Sequence, residues 1–279
     1  MAIQWYPGHI AKAERQLKAQ LRWIDVAIEV RDARIPLASH HPQLLAWLGN
    51  KPRLTVLNRM DAIPAARRQQ WAAWFRARGE RVWWTNAQQG KGVPALKKAA
   101  QALGEQANER RRQRGMRPRA VRAAALGFPN VGKSALINRL VGRKAAASAR
   151  RAGVTRQLNW IRLARGLDLL DAPGVMPPQL DDPEAAMALA ICGDIGEGAY
   201  DSERVAAATI DWLLALGWAD ALRQRYGIEA SECGGEAALQ ALAERRFSDQ
   251  TQQAADRILT DFRQGRLGAI ALELPPSEA

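Results

Sequence analysis

Apolar residues at Ile10, Leu17, Leu21 and Ile24 are spaced by seven, four and three, with Lys12, Arg15, Lys18 and Arg22 between them. This spacing predicts an amphipathic helix with a basic outer face. Three short runs rich in branched and aromatic residues follow at 26–30, 53–57 and 81–84, separated by helical patterns such as 65–78. Strands that alternate with helices predict a mostly parallel sheet covered on both faces. After a helical pattern at 93–103 the composition changes: seven arginines fall between residues 110 and 122, together with Gly115 and Pro118. The stretch 104–119 therefore reads as a basic linker rather than an element. A strand at 120–126, a helix at 134–140 and a hairpin of 158–163 with 167–170 come next. From about residue 182 the pattern is helical only, near 184–195, 203–216, 219–226, 235–246 and 249–264. A boundary near residue 180 thus separates an α/β part, 1–180, from a smaller all-α part, 181–279.

Charge adds a partner class. The 279 residues carry 41 Lys+Arg against 28 Asp+Glu, a formal net charge of +13, which favours encounter with a polyanion such as RNA. No apolar run has the length of a membrane helix, and the first residues lack the build of a secretory signal, so no membrane contact is expected. Cys192 and Cys233 form neither a disulfide framework nor a zinc-site spacing, which fits a reducing cytoplasm. The ten tryptophans fall mostly among apolar positions, and core packing is the reading for Trp23, Trp47, Trp71, Trp74, Trp83 and Trp84.

The chemistry is concentrated in four short motifs. Residues 127–134, GFPNVGKS, match GxxxxGK[ST] between a strand pattern and a helix pattern. Glycines let backbone N–H groups turn around phosphate oxygens, and the helix N-terminus adds partial positive charge. Asn130, Val131, Gly132, Lys133, Ser134 and Ala135 are the expected phosphate-loop contacts, with Lys133 on the β- and γ-phosphates and the Ser134 hydroxyl on Mg²⁺. Asp171-Ala-Pro-Gly174 follows a strand, placing Asp171 to hold a metal-bound water and the Gly174 amide to sense the γ-phosphate. Thr155, between these two motifs, is the residue expected to close over Mg²⁺ when the third phosphate is present. Asn58-Arg59-Met60-Asp61 ends a strand, where Asp61 can accept from both guanine N1–H and the exocyclic amine, selecting GTP over ATP. The usual form of this motif is NKxD, so Arg59 is a departure. Asn86-Ala87-Gln88 is the companion motif, in which a backbone N–H meets the guanine oxygen. In ordinary small GTPases the phosphate loop precedes the base motifs; here the order is reversed, as a circular permutation joining nearby termini produces. The segment after Gly174 then leads directly into the C-terminal helices, so nucleotide state is expected to reposition them.

With Trp5-Tyr-Pro-Gly-His9-Ile-Ala-Lys12, Asp32-Ala-Arg34-Ile-Pro36, GFPNVGKS and DAPG in permuted order, the chain resembles the circularly permuted ribosome biogenesis GTPase A group (YlqF/RbgA type) over nearly its whole length. The resemblance implies a circularly permuted P-loop GTPase domain and a helical RNA-gripping domain. It also implies GTP hydrolysis, stimulated by the particle, in late maturation of the large (50S) ribosomal subunit, with a monomer off the ribosome. Ras-like enzymes orient the attacking water with a glutamine just after DxxG, and Val175 stands there. By resemblance the water-positioning group is His9; His40 and His41 read as surface loop residues. The PNVGKS loop likewise implies that Asn130 helps hold K⁺, a substitute for an arginine finger. Two other readings stay open: a GTP-gated RNA-binding scaffold with incidental hydrolysis, which Val175 favours, and a GTPase serving another RNA complex.

Overall fold

A computed structural model describes residues 7–142, 158–163, 166–177, 180–228 and 234–276, the side chains of 7–13 and 163 excepted. Helix α1 (Pro7–Leu21) buries Leu17 and Leu21, and Ile24 just beyond it, against the first strand, as the apolar spacing predicts. Strand β1 (Val26–Asp32) is buried at every position, the signature of a central strand with both faces covered. Helix α2 (Leu44–Leu48), a single turn too short for a periodic pattern, leads to β2 (Arg53–Asn58). Then come α3 (Ala65–Ala77), β3 (Val82–Thr85), α4 (Val93–Gln113), β4 (Val121–Leu126), α5 (Lys133–Val141), β5 (Asn159–Leu163) and β6 (Leu167–Asp171). The sheet runs β3-β2-β1-β4-β6-β5, parallel throughout except for the antiparallel edge strand β5.

Helices α6 (Pro183–Cys192), α7 (Ser202–Ala215), α8 (Ala219–Tyr226), α9 (Gly234–Arg246) and α10 (Thr251–Arg263) match the five predicted segments. Asp182 and Asp201 start α6 and α7 by accepting from the backbone amides two and three residues on, which satisfies donors the helix leaves open. Arg263 of α10 donates to the Ala190 and Ile191 carbonyls and so closes the far end of α6. Apolar residues of these helices and of one sheet face form one continuous core. Among the described residues no helix is long and apolar enough to cross a membrane.

Three expectations are corrected. The arginine run is not a linker up to residue 119: α4 continues to Gln113, and Arg110, Arg111 and Arg112 occupy its last turn, where cations complement the helix dipole. Gly104, inside this helix, lies so close to β4 that a Cβ would stand 2.0 Å from Val121 Cγ2. Only 114–120 connect the two elements, pinned by Asn108, which accepts from the Arg119 amide and donates to the Arg119 carbonyl. Second, Trp23 is 49% exposed, because it stands in the turn between α1 and β1 rather than on the buried stripe. Trp71 is fully buried, and Trp47, Trp74, Trp83 and Trp84 are half-buried against the core. Third, His41 is not a surface residue. It is buried against Trp47 and Phe128, and burial takes its pKa down to about 4, so its ring is neutral. His40 is half-buried, with Nδ1 2.6 Å from Glu29 Oε1.

Candidate functional site

Every nucleotide motif lies at the carboxyl ends of the parallel strands. The sheet order reverses between β1 and β4, which is where open α/β sheets bind ligands. The phosphate loop leaves β4 at Gly127, whose φ of 143° and closeness to β1 (a Cβ would lie 2.2 Å from the Val30 carbonyl oxygen) require glycine. The Lys133 ammonium is buried and donates to the carbonyls of Phe128 (2.6 Å) and Gly127 (3.2 Å). Burial lowers its pKa to about 8, with Asp171 and Asp194 opposing the fall. Ser134 and Ala135 follow in the first turn of α5.

The base motif is locked to this loop by one side chain. Asn58, buried at the end of β2, donates from Nδ2 to the Val131 carbonyl (2.8 Å). Its Oδ1 accepts from the Thr85 hydroxyl (3.1 Å) and the Ala87 amide (3.0 Å). Gly132 fits because a Cβ there would stand 2.2 Å from Asn58 Nδ2. Asn86 accepts from the Gln89 amide and shapes the turn, while Arg139 of α5 donates to the Ala87 and Gln88 carbonyls. Asp61 is exposed on a 3₁₀ turn, Met60–Ala62, one step beyond these locks. Asn58 thus gathers three loops that sequence separates widely.

Asp171 ends β6 opposite Lys133. Burial raises its pKa to about 6, and the Lys133 charge opposes that rise. Its Oδ1 is buried and accepts no hydrogen bond among the described residues. An orphaned carboxylate oxygen facing Lys133 of the phosphate loop is a hard-oxygen donor that fits Mg²⁺. Gly174 packs on the phosphate loop, where a Cβ would lie 2.6 Å from Pro129 Cα. Val175 is buried in the core cluster shared with α1, and its amide donates to the Gly127 carbonyl.

A second layer was not legible in the sequence. Arg59, at a left-handed φ of 61°, donates to the Asn130 carbonyl (2.6 Å) and to Asp32 Oδ2 (2.6 Å). Its Nη1 also stands 3.6 Å from Asp194 Oδ1. Arg34, buried, pairs with Asp32 at 2.7 Å and donates to the Cys192 carbonyl. The Asn130 Nδ2 donates to the Gly193 carbonyl at 2.7 Å. Although burial favours the protonated form, Arg34 and Arg59 hold the Asp32 carboxyl below its ordinary range. Asp194, also fully buried, accepts no hydrogen bond among the described residues. Burial, reinforced by Asp32, pushes its carboxyl up despite Arg59 and Arg34. The Asp32-Ala-Arg34 segment further receives the chain's end: the Arg34 carbonyl accepts from the Leu272 and Glu273 amides, and Glu273 accepts from Leu37 and Ala38.

The backbone of His9 lies in the first turn of α1, while its side chain, Thr155 and Cys233 lie outside the described residues.

Residues 122–208 match the family model described as 50S ribosome-binding GTPase. The chain is 34% identical over 281 residues to ribosome biogenesis GTPase A of Bacillus cereus, covering 99% of this chain and 95% of that one. It is 29% identical to mitochondrial ribosome-associated GTPase 1 of Xenopus tropicalis, covering 96% and 94%. Its fold matches the crystal structure of GNP-bound YlqF from T. maritima with a TM-score of 0.64 at 24% identity, over 95% of this chain and 98% of that one. A permuted sheet with its phosphate loop and base motif fastened together, in a chain similar from end to end to these proteins, is that of a GTP-hydrolysing ribosome assembly factor, and the chain belongs to the ribosome biogenesis GTPase A family.

Proposed function

We propose that this GTPase acts in late maturation of the large ribosomal subunit, with hydrolysis stimulated by that particle, in the cytoplasm and as a monomer when off the ribosome. The observation that carries the reading is the Asn58 junction, which joins guanine recognition to the phosphate loop within a chain similar over its full length to a ribosome biogenesis GTPase. Asp61 binds the guanine edge, and Arg59 sets Asp61's turn by gripping the Asn130 carbonyl. Asn86 and Ala87 form the wall behind the base. Val131, Gly132 and Ala135 contribute backbone amides to the phosphates, and Lys133 moves from the Phe128 carbonyl to the phosphate oxygens. Ser134, Thr155 and Asp171 hold Mg²⁺, which supplies positive charge beside the β- and γ-phosphates. The Gly174 amide senses the γ-phosphate, and Asn130 offers Oδ1 to K⁺ while Nδ2 stays on Gly193. His9 orients the attacking water. Residues 1–180 form the nucleotide domain, and 181–279 form the helical domain that grips ribosomal RNA.

The test is GTP hydrolysis by the purified protein, alone and with isolated 30S or 50S subunits, in potassium and in sodium buffer. Stimulation by 50S alone is expected, greater in potassium. His9→Ala is expected to retain GTP binding and lose the stimulated rate. A second reading, a GTP-gated scaffold with incidental hydrolysis, draws on Val175. This side chain is buried toward α1, so the usual glutamine position has no access to the γ-phosphate. Negligible turnover with either subunit, alongside tight GTP-dependent association with one of them, favours that reading.

A further inference from the structure

Two exposed tryptophans share one cleft. Trp23, in the turn after α1, is 49% exposed, and Trp160, on edge strand β5, is 39% exposed. They line one cleft of about 550 Å³ together with Gln20, Arg122, Arg162 and Asp168. The register explains the grouping. Asp168 of β6 pairs with Arg122 of β4 on one side and Arg162 of β5 on the other, and Trp160 precedes Arg162 by two residues on the same strand face. The neighbouring strand residue, Ile161, points into the core.

Each tryptophan already carries a guanidinium. Arg22 lies 4.9 Å from the Trp23 ring centre, and Arg122 lies 5.6 Å from that of Trp160. Arg119 donates to the Trp23 carbonyl, and Lys51 donates to the carbonyls on either side of Trp23. The surroundings are therefore strongly basic, with Asp25 and Asp168 as the acids: Asp25 is paired with Arg111 and Arg119. A membrane-binding face puts its aromatic residues beside other apolar ones. Here the tryptophans are interleaved with arginines, which suits flat rings with phosphates between them.

We propose that this cleft binds an unpaired stretch of RNA, one base stacking on Trp23 and another on Trp160, with the intervening phosphates held by Arg22, Arg122 and Arg162. The proposal rests on the reading of the protein as a ribosome assembly factor and gives it a base-stacking anchor for RNA. Duplex RNA does not fit this chemistry, because its bases are already stacked and its faces are closed.

The test uses the full chain and a fluorescein-labelled twelve-nucleotide oligoadenylate, read by fluorescence anisotropy, with the same strand made abasic or annealed to its complement. The wild-type chain is expected to bind the single strand more tightly than either control. Trp23→Ala and Trp160→Ala are each expected to weaken it about five- to a hundredfold, and Trp→Phe at either site to restore most of the loss. Arg122→Gln is expected to reduce the salt slope by about one. Guanine-nucleotide affinity, unchanged in all of these variants, reports that they fold. Alanine variants that bind the oligonucleotide as wild type does, or equal affinity for the abasic and base-bearing strands, overturn the proposal. Variants that keep oligonucleotide affinity but lose association with ribosomal subunits put a protein on this face, and overturn it too. Failure of the ribosome reading itself appears differently, as wild-type chain that binds no subunit at all.

Discussion

Asp61 and Asp194 show opposite uses of a carboxylate. Asp61 is exposed on its turn, and in the proposed site its worth lies in matching two guanine donors. Asp61→Asn replaces one acceptor by a donor, which suits xanthine better than guanine. GTP affinity is expected to fall by about two orders of magnitude or more while xanthosine triphosphate gains, as measured by competition with a fluorescent nucleotide. Asp194 is buried beside Asp32 and lacks hydrogen-bond donors among the described residues, so its charge is unfavourable in the fold. In the unfolded chain its carboxyl titrates near 3.8; in the folded protein it does so higher. Across that interval the folded state holds more protons, and stability falls as pH rises until the folded pKa is passed. Asp194→Asn removes this dependence. In calorimetry of nucleotide-free protein between about pH 4 and 8, the variant's melting temperature is expected to fall less than wild type's and to exceed it at the upper end. Identical slopes would assign the dependence to other groups. The four motifs were legible because each is local, one turn with its ligand-facing atoms in a row. Asp194 was not, since what makes it unusual is burial beside Asp32, brought to it from more than a hundred residues away.

Elements were legible where apolar spacing is regular and obscured where charge stood in its place. The arginines of α4 look solvated in sequence, yet a helix C-terminus is a favourable place for three cations, and the helix runs on through Gly104. That glycine, an apparent helix breaker, is there because α4 crosses Val121 at near contact. Gly104→Ala is expected to cost about 1–3 kcal/mol through overpacking and to lower the melting temperature by several degrees, about 3–10 °C. Pairing it with Val121→Ala, which opens space at the same contact, is expected to recover part of the loss, a non-additivity that thermal denaturation of the single and double variants measures. Trp23 was misread for the converse reason. Its apolar character suggested the core, but the turn between α1 and β1 carries it outside.

Across the whole molecule, polar contacts among the described residues tie the nucleotide loops to the end of α6. Asn130 holds Gly193, Arg34 holds Cys192, and Arg59 faces Asp194. Asn130 and Arg59 belong to the proposed nucleotide motifs and also reach the end of α6, so a change at the γ-phosphate is expected to have a direct route to the helices. Small-angle scattering is expected to give different profiles with GDP and a GTP analogue for the wild-type chain, and a smaller difference for Asn130→Ala. Identical profiles in the wild type would leave these contacts as static packing. None of the three contacts follows from a motif, because in each the second partner is a backbone carbonyl or an acid with no pattern around it.

The junction of β1 with β4 also orders events during synthesis. Residues 26–85, which make β1, β2 and β3, leave the ribosome before β4 exists, so Val26 to Glu29 wait with one edge unpaired until Ala123 to Leu126 arrive. The half that carries the base motif is thus made first, while its phosphate loop is still to be translated. Nucleotide capture becomes possible only when the two halves have closed along that ladder. From then on bound GTP or GDP stabilises the closed sheet by mass action. A newly made molecule therefore acquires its ligand only after its two halves have joined.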